Sequence, residues 1–177
     1  MEQDLTPYYL FEEDAKHFHN VCKTACDTHN SEFYSKFKKQ CDEYFWNTHR
    51  DEARGVGGLF FDHCKASDDF TMDSWYDFVT EVGNSFLQAY VPIVERRKDT
   101  EYTEAHRTWQ EIRRGRYVEF NLVHDKGTLF GLRTNGRIES ILMSLPPHVQ
   151  WVYDHHPESG SKEEELIKVL AKPIDWV

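Results

Sequence analysis

The stretch from Arg116 to Pro147 constrains the fold of this chain more than any other part of the sequence. Apolar residues alternate with polar ones from Val118 to Leu122, which is the spacing of one face of a half-buried strand. Two turn signals follow, Asp125-Lys126-Gly127 and Asn135-Gly136. The second is typical of a two-residue hairpin, because both of its residues tolerate a positive φ. The pattern therefore predicts a three-stranded antiparallel meander.

Helical periodicity surrounds this stretch on both sides, since apolar residues recur there at spacings of three and four. The predicted helices run from Glu12 to Ala25, from Ser31 to before Gly55, from a capping box at Ser74 towards Arg97, from Thr103 to Arg114, and onwards from a cap at Ser161. A buried strand is predicted over residues 55–61. Helices before and after a meander predict an α+β fold, and 177 residues with 39% hydrophobic content suffice for a single domain over residues 1–177.

Composition excludes several classes of protein. A net charge of -10 argues against a nucleic-acid partner, because phosphate binding needs a basic face. No apolar stretch reaches the roughly 18 residues of a membrane span, and no basic and then apolar leader opens the chain. The four cysteines all lie in the first third, which favours reduced core thiols over a disulfide framework. We therefore expect a cytoplasmic protein without a membrane span.

No familiar cofactor motif is present. The glycines at 55–58 fail the G-x-G-x-x-G spacing because Phe60 stands where a glycine is needed. His17 and His19 are two residues apart on a predicted helix, so their side chains point about 200° apart and cannot bind one metal ion together. Any redox chemistry must therefore proceed without a recognisable organic cofactor site.

Several blocks of sequence resemble one enzyme family, and together they span essentially all 177 residues. They are Asp4-Leu5-Thr6-Pro7-Tyr8-Tyr9, Cys41-Asp42-Glu43-Tyr44-Phe45 with His49-Arg50, Arg54-Gly55-x-Gly57-Gly58-Leu59-Phe60-Phe61-Asp62, Pro92-Ile93-Val94-Glu95-Arg96-Arg97, and the meander itself. In these blocks the chain is similar to the oxygen-dependent coproporphyrinogen-III oxidases. The resemblance covers roughly the C-terminal 60% of the family, so the segment that comes first in family members is expected to be absent.

This resemblance implies a fold, a reaction and an assembly. Family members are homodimers built on an antiparallel sheet with helices on both faces, a three-layer sandwich. They convert two propionates of coproporphyrinogen III to vinyls with molecular oxygen and release carbon dioxide, giving protoporphyrinogen IX in haem biosynthesis. The resemblance implies that no organic cofactor is needed, and that dimer contacts come from the region of Tyr117 to Val152.

The resemblance also assigns roles to residues in the two turns of the meander. Asp125 matches a carboxylate that contacts the pyrrole nitrogens, a role that suits an acceptor of N–H hydrogens; from the residues alone it supplies only turn chemistry. Lys126 replaces an arginine of the family, so it keeps the charge and loses the bidentate fork for a propionate. Asn135-Gly136-Arg137 matches the substrate loop. His19 and His49 match positions that are proposed as metal ligands in some members.

Three functions of different classes follow. The first is a porphyrinogen oxidase that performs oxidative decarboxylation, and it is favoured by the presence of Asp125 and Arg137. The second is a truncated, non-catalytic relative that retains dimerisation and the porphyrinogen-binding surface. The third is a histidine metalloprotein, which requires His19 and His49 to converge with further ligands.

Overall fold

A computed structural model describes all 177 residues and shows a mixed helical and sheet architecture. The helices are α1 Glu12–Asp27, α2 Phe33–Tyr44, α3 Met72–Arg97, α4 Glu104–Val123, α5 Lys126–Arg133, α6 Ile138–Leu142 and α7 Lys162–Leu170. The strands are β1 Glu2–Asp4, β2 Trp46–Asn47, β3 Glu52–Ala53 and β4 Gly58–Phe60. They form two antiparallel, two-stranded sheets, β1 with β4 and β2 with β3. The predicted α+β class is confirmed.

The main core lies where α1, α2 and α3 pack around β4. Its centre is a group of fully or almost fully buried side chains, which are Leu59 of β4 and, from the three helices, Phe18, Cys22, Phe37, Phe78 and Val82. The cysteines in this core are free thiols. Burial raises the pKa of the Cys22 and Cys26 thiols to about 12. The prediction of reduced core thiols is confirmed for Cys22, Cys26 and Cys41, while Cys64 is only half-buried.

A second core holds α7 and the chain end against the first half of α4. Leu166 and Leu170 of α7 pack there with Trp109, Ile112 and Trp176. The start of α7 agrees with the sequence, because the Ser161 side chain accepts a hydrogen bond from the backbone N–H of Glu164.

The start of α3 differs from the prediction. Thr71, and not Ser74, is the N-cap, and its hydroxyl accepts the backbone N–H of Ser74 at 3.2 Å. Both residues are good caps, so the sequence alone does not choose between them. Pro92 lies inside the helix. No helix of the chain combines the length and the apolar character that a membrane crossing requires.

The predicted meander is wrong, because helices α4, α5 and α6 occupy its place. The sequence suggested a helix that stops at Gly115, but α4 continues through this glycine to Val123. Val118 and Phe120 are both buried, while Leu122 is 39% exposed, so the alternation stops where a strand would continue it. A helix with neighbours on two sides buries residues two positions apart, and this imitates the period of a strand.

Asn135-Gly136 reverses the chain as predicted, but it ends a helix and does not form a hairpin. Asn135 has the expected positive φ of 56°. It follows α5, and the N–H of Gly136 donates to the carbonyl of Gly131 at 2.8 Å. This is the Schellman pattern, in which a left-handed residue ends a helix and the next N–H reaches back over the last turn. A hairpin turn and a helix end both need a residue with a positive φ, and asparagine and glycine are favoured in both.

Gly115 is required by a close approach of two chain segments. A Cβ atom at this position would lie 2.8 Å from the carbonyl oxygen of Gln150 and 3.3 Å from Nε1 of Trp151. Gly83, the glycine inside α3, has only the Met1 methyl group nearby, at 3.7 Å. The segment around Gln150 therefore packs directly on the α4 backbone.

These two helical glycines provide a matched test of the packing. We expect Gly115→Ala to destabilise the chain by about 1–3 kcal/mol, because a backbone carbonyl must move. Gly83→Ala should be neutral or should stabilise by up to about 1 kcal/mol, because alanine favours a helix and the space is open. Urea unfolding followed by circular dichroism measures both. Equal effects of the two substitutions would contradict the described path of residues 150–151.

Candidate active site

Asp125 lies at the junction of α4 and α5 and caps the second of these helices. Its Oδ2 accepts the backbone N–H of Thr128 at 2.6 Å, which satisfies one of the free donors in the first turn of α5. Its Oδ1 accepts the hydroxyl of Tyr44 at 3.0 Å. The residue chosen from the sequence as the chemical carboxylate is therefore a half-buried N-cap.

Tyr44 fixes this carboxylate from the opposite side. Its ring stacks on Phe60 at a centroid distance of 4.2 Å, and its hydroxyl also accepts the N–H of Lys126 at 3.2 Å. Burial is the main cause that raises the pKa of Tyr44, and the hydrogen bond to Asp125 acts in the same direction. The ammonium of Lys126 lies 5.4 Å from the centre of the Tyr44 ring. A rigid aromatic wall thus orients the acid and its neighbouring cation.

Glu119 is the centre of the densest polar cluster near Asp125. Arg50 donates to both oxygens of this carboxylate, at 2.8 and 2.7 Å. Arg116 donates at 3.0 Å, and the indole N–H of Trp151 donates at 3.0 Å. Burial alone would raise the pKa of Glu119, but the hydrogen bonds from Arg50 and His49 and the charge of Arg116 lower it to about 2. Glu119 is therefore an anion throughout the physiological pH range.

A chain of hydrogen bonds runs from this anion to the residue next to Asp125. Nε2 of His49 lies 2.7 Å from Oε2 of Glu119, and Nδ1 of His49 lies 2.9 Å from Nε2 of His124. Since the carboxylate only accepts, His49 donates through Nε2, and its neutral form accepts from His124 through Nδ1. These hydrogen bonds fix the orientation of both imidazoles beside the α4–α5 junction.

The predicted substrate loop lies at the other end of α5. Asn135 follows the helix, Gly136 closes its last turn, and Arg137 is the N-cap residue of α6, with an exposed side chain that has no ionic partner. Eight helical residues separate this loop from Asp125, a length of about 12 Å. The structure thus places the two predicted turns at opposite ends of one short helix.

His19 is completely buried, and both of its ring nitrogens have partners within the protein. Nε2 lies 3.0 Å from the carbonyl oxygen of Val56, and Nδ1 lies 2.9 Å from the Tyr34 hydroxyl. The Trp176 ring stacks on the imidazole, and its N–H donates to the same carbonyl. Burial lowers the pKa of His19 to about 4. The imidazole is neutral and connects the C-terminal residues to α1 and α2.

The metal-ligand role of His19 and His49 stays a prediction from resemblance. A metal at His19 would have to displace the Tyr34 hydroxyl or the Val56 carbonyl. His49 already contacts Glu119 and His124. No group of three or more histidine, cysteine, aspartate or glutamate residues is arranged to hold a metal ion. The residues at these two positions therefore do not fit a shared metal site in the observed arrangement.

Sequence reasoning missed Tyr44, Glu119 and Arg116 as members of the site. Glu119 was assigned to the polar face of a strand, and on a helix it lies one turn after Arg116 and toward Arg50. The three-residue spacing of Arg116 and Glu119 was the available signal, because residues three apart are neighbours on a helix and point to opposite faces of a strand.

Comparison with known proteins identifies the relatives of this chain. A family model described as Coproporphyrinogen III oxidase matches residues 2–176. Coproporphyrinogen-III oxidase 1, chloroplastic, of Arabidopsis thaliana is 55% identical over 174 residues, which are 98% of this chain and 44% of the relative. The oxygen-dependent coproporphyrinogen-III oxidase of Francisella philomiragia is 56% identical over 174 residues, 98% of this chain and 55% of the relative. The chain thus spans about half the length of the curated relatives that it matches.

The buried His19 predicts a specific dependence of stability on pH. Its pKa is lowered from 6.5 to about 4, so between these values only the unfolded chain binds the proton. The contribution of the lowered His19 pKa to the free energy of unfolding is complete above pH 6.5. It is lost as the pH falls towards 4, by about 3 kcal/mol in total. We expect His19→Gln to show a correspondingly flatter decline in unfolding free energy over this range. His156→Gln, at a side chain that is 81% exposed, should keep the original slope.

Proposed function

Because this chain belongs to the coproporphyrinogen III oxidase family, we propose that it performs the oxygen-dependent decarboxylation of two propionates of coproporphyrinogen III. The product is the divinyl compound protoporphyrinogen IX. The observation that carries the proposal is the identity of 55–56% over 98% of the chain. Identity at this level favours an oxidase over a relative that has lost catalysis.

Asp125 is the residue that we assign to the chemistry. Its two oxygens accept one hydrogen bond each from Tyr44 and Thr128, which leaves further lone pairs for a ligand. A carboxylate held in this way can accept the N–H hydrogens of a porphyrinogen and make the ring rich in electrons. Each conversion of a propionate to a vinyl group and carbon dioxide then delivers two electrons and two protons to molecular oxygen.

Lys126 and Arg137 are the proposed partners of the substrate carboxylates. They lie near opposite ends of α5, and both side chains are exposed. Lys126 starts α5 and Arg137 follows the turn after its end, so the two cations can meet two different propionates of one macrocycle. Asn135 and Gly136 shape the loop that presents Arg137.

We propose that the reaction uses molecular oxygen as co-substrate and needs neither an organic cofactor nor a metal ion. This rests on the resemblance and on the lack of a known cofactor motif in the sequence. We also propose a cytoplasmic location, which agrees with the unpaired thiols of Cys22, Cys26 and Cys41.

A second copy of this chain is the proposed partner of the α5–α6 surface. Neither helix contains a buried residue, and Phe130, Ile138 and Met143 are 69, 55 and 79% exposed. Apolar groups in this number usually mark an interaction site. They lie within the region Tyr117 to Val152, to which the family resemblance assigns dimer contacts.

The role of Asp125 can be separated from its structural role by substitution with asparagine. Asparagine caps helices as well as aspartate does, so Asp125→Asn should change stability by less than about 0.5 kcal/mol. Loss of the carboxylate should reduce the rate of product formation by about 100-fold or more. The measurement is an aerobic assay of coproporphyrinogen III conversion by fluorescence, for the original chain and the variant. Full activity in Asp125→Asn, or no product from the original chain, would contradict the proposal.

The assembly can be tested by placing a charge on the α5–α6 surface. Phe130→Lys should weaken self-association by about tenfold or more, because an ammonium group cannot be buried without a partner. Leu87→Lys is the matched control, since Leu87 is 64% exposed on α3 and lies outside this surface. Analytical ultracentrifugation measures both variants. An unchanged dimer in Phe130→Lys, or a purely monomeric original chain, would contradict the assignment.

A further inference from the structure

The middle of α4 carries an arginine that is almost completely buried and only partly neutralised. Arg113 is 4% exposed, and its Nη1 donates to Oε1 of Glu52 at 2.9 Å. Its Nη2 is also buried and has no hydrogen-bond partner in the protein. Burial lowers the pKa of Arg113, because Glu52 alone does not replace the water that the guanidinium has lost. A buried donor without an acceptor is costly, so the guanidinium of Arg113 is incompletely satisfied by the protein.

Arg114 follows directly and has no acidic partner. Its Nε donates to the Tyr8 hydroxyl at 3.1 Å, and its guanidinium lies 5.7 Å from the centre of the Tyr8 ring. The hydroxyl holds the side chain in place without neutralising it. Arg114 is thus an oriented cation whose remaining donors are available to a ligand.

The surroundings of these two residues are positive although the chain as a whole is acidic. Arg113 and Arg114 are the charged residues of the cleft wall. The one carboxylate paired with them, that of Glu52, lies 2.9 Å from Arg113 and is shared with Arg116 at 3.6 Å, in a chain with a net charge of -10. A local surplus of this kind attracts an anion.

A cleft of about 300 Å³ opens beside the two arginines. Arg113 and Arg114 form part of its wall, and Thr6, Tyr8 and Tyr117 contribute side chains that carry hydroxyl groups. This volume is at the lower end of ligand sites, so it suits a short carboxylate arm and not a whole macrocycle. Arginine is the preferred side chain for a carboxylate, because its planar donors match the two oxygens.

We propose that the cleft beside Arg113 and Arg114 binds a carboxylate of the substrate, a propionate other than the one that reacts. The identity of the ligand rests on the proposed function, while the anion chemistry rests on the arginines alone. Arg114 lies about 16 Å along α4 from Asp125, so a group held there is remote from the reacting centre. Binding energy from such a remote group positions the macrocycle over the chemical carboxylate.

The test compares coproporphyrin III, the stable oxidised tetrapyrrole, with its tetramethyl ester, which has no carboxylate charge. We expect Arg114→Gln to weaken binding of coproporphyrin III by about tenfold or more, because a charge-assisted hydrogen bond is lost. Binding of the ester should not change. Arg113→Lys keeps the positive charge but loses the planar pair of N–H donors of the guanidinium. It should likewise weaken binding of coproporphyrin III and not of the ester. Quenching of tryptophan fluorescence gives the dissociation constants.

Arg107→Gln is the matched control, since Arg107 is an arginine of the same helix whose side chain is 53% exposed. It should leave both affinities unchanged, and circular dichroism should show that every variant is folded. Unchanged affinity in Arg114→Gln and Arg113→Lys would overturn the inference, and so would equal losses for acid and ester. Absence of porphyrin binding by the original chain would also overturn it.

The two proposals can fail separately. If the chain converts coproporphyrinogen III but binding does not depend on the arginines, only the proposal of a carboxylate cleft is wrong. If binding depends on Arg114 but no product forms, only the proposed oxidase function is wrong.

Discussion

The buried guanidinium of Arg54 joins the separate parts of this chain, and the rest of the structure depends on it. It is 5% exposed and donates to Glu2 and Asp4 of β1, in each case at 2.7 Å. It also lies 3.8 Å from the centre of the Phe45 ring and 5.2 Å from that of Phe120. A buried cation is tolerable only when it is paired and hydrogen-bonded. The position of Arg54 therefore determines where its carboxylate partners on β1 must lie.

The consequence is the position of α4. Phe120 packs with Phe45 and Cys41, and this contact aligns the helix with the end of α2. Glu119 then points toward Arg50 and His49, while Tyr44 at the end of α2 reaches Asp125. Apolar packing around one paired cation thus sets the distances within the polar cluster. The proposed role of Asp125, which follows α4, and the proposed carboxylate cleft of Arg113 and Arg114 on α4 therefore both depend on where this helix lies.

Much of the fold was predictable where local signals agreed with each other. α1 and α7 combine a clear apolar stripe with acidic residues in the first turn, so their starts follow from the sequence. The region 116–147 lacked this agreement. Its glycines and its Asn-Gly pair are compatible with hairpins, and burial on two sides of α4 produced a false alternation. Only long-range contacts, such as that of Gly115 with Gln150, distinguish the two structures.

The sequence by itself determined the family, the α+β class and the unpaired thiols, and the family resemblance supplied the proposal of Asp125 as the chemical carboxylate. Each of these depends on residue identity or on neighbours within a few positions. The tertiary structure alone decided that Asp125 is a helix cap held by Tyr44, that His19 is neutral, and that Arg113 has an unsatisfied donor. Burial and charge pairing between residues distant along the chain control these properties, and neither can be read from local periodicity.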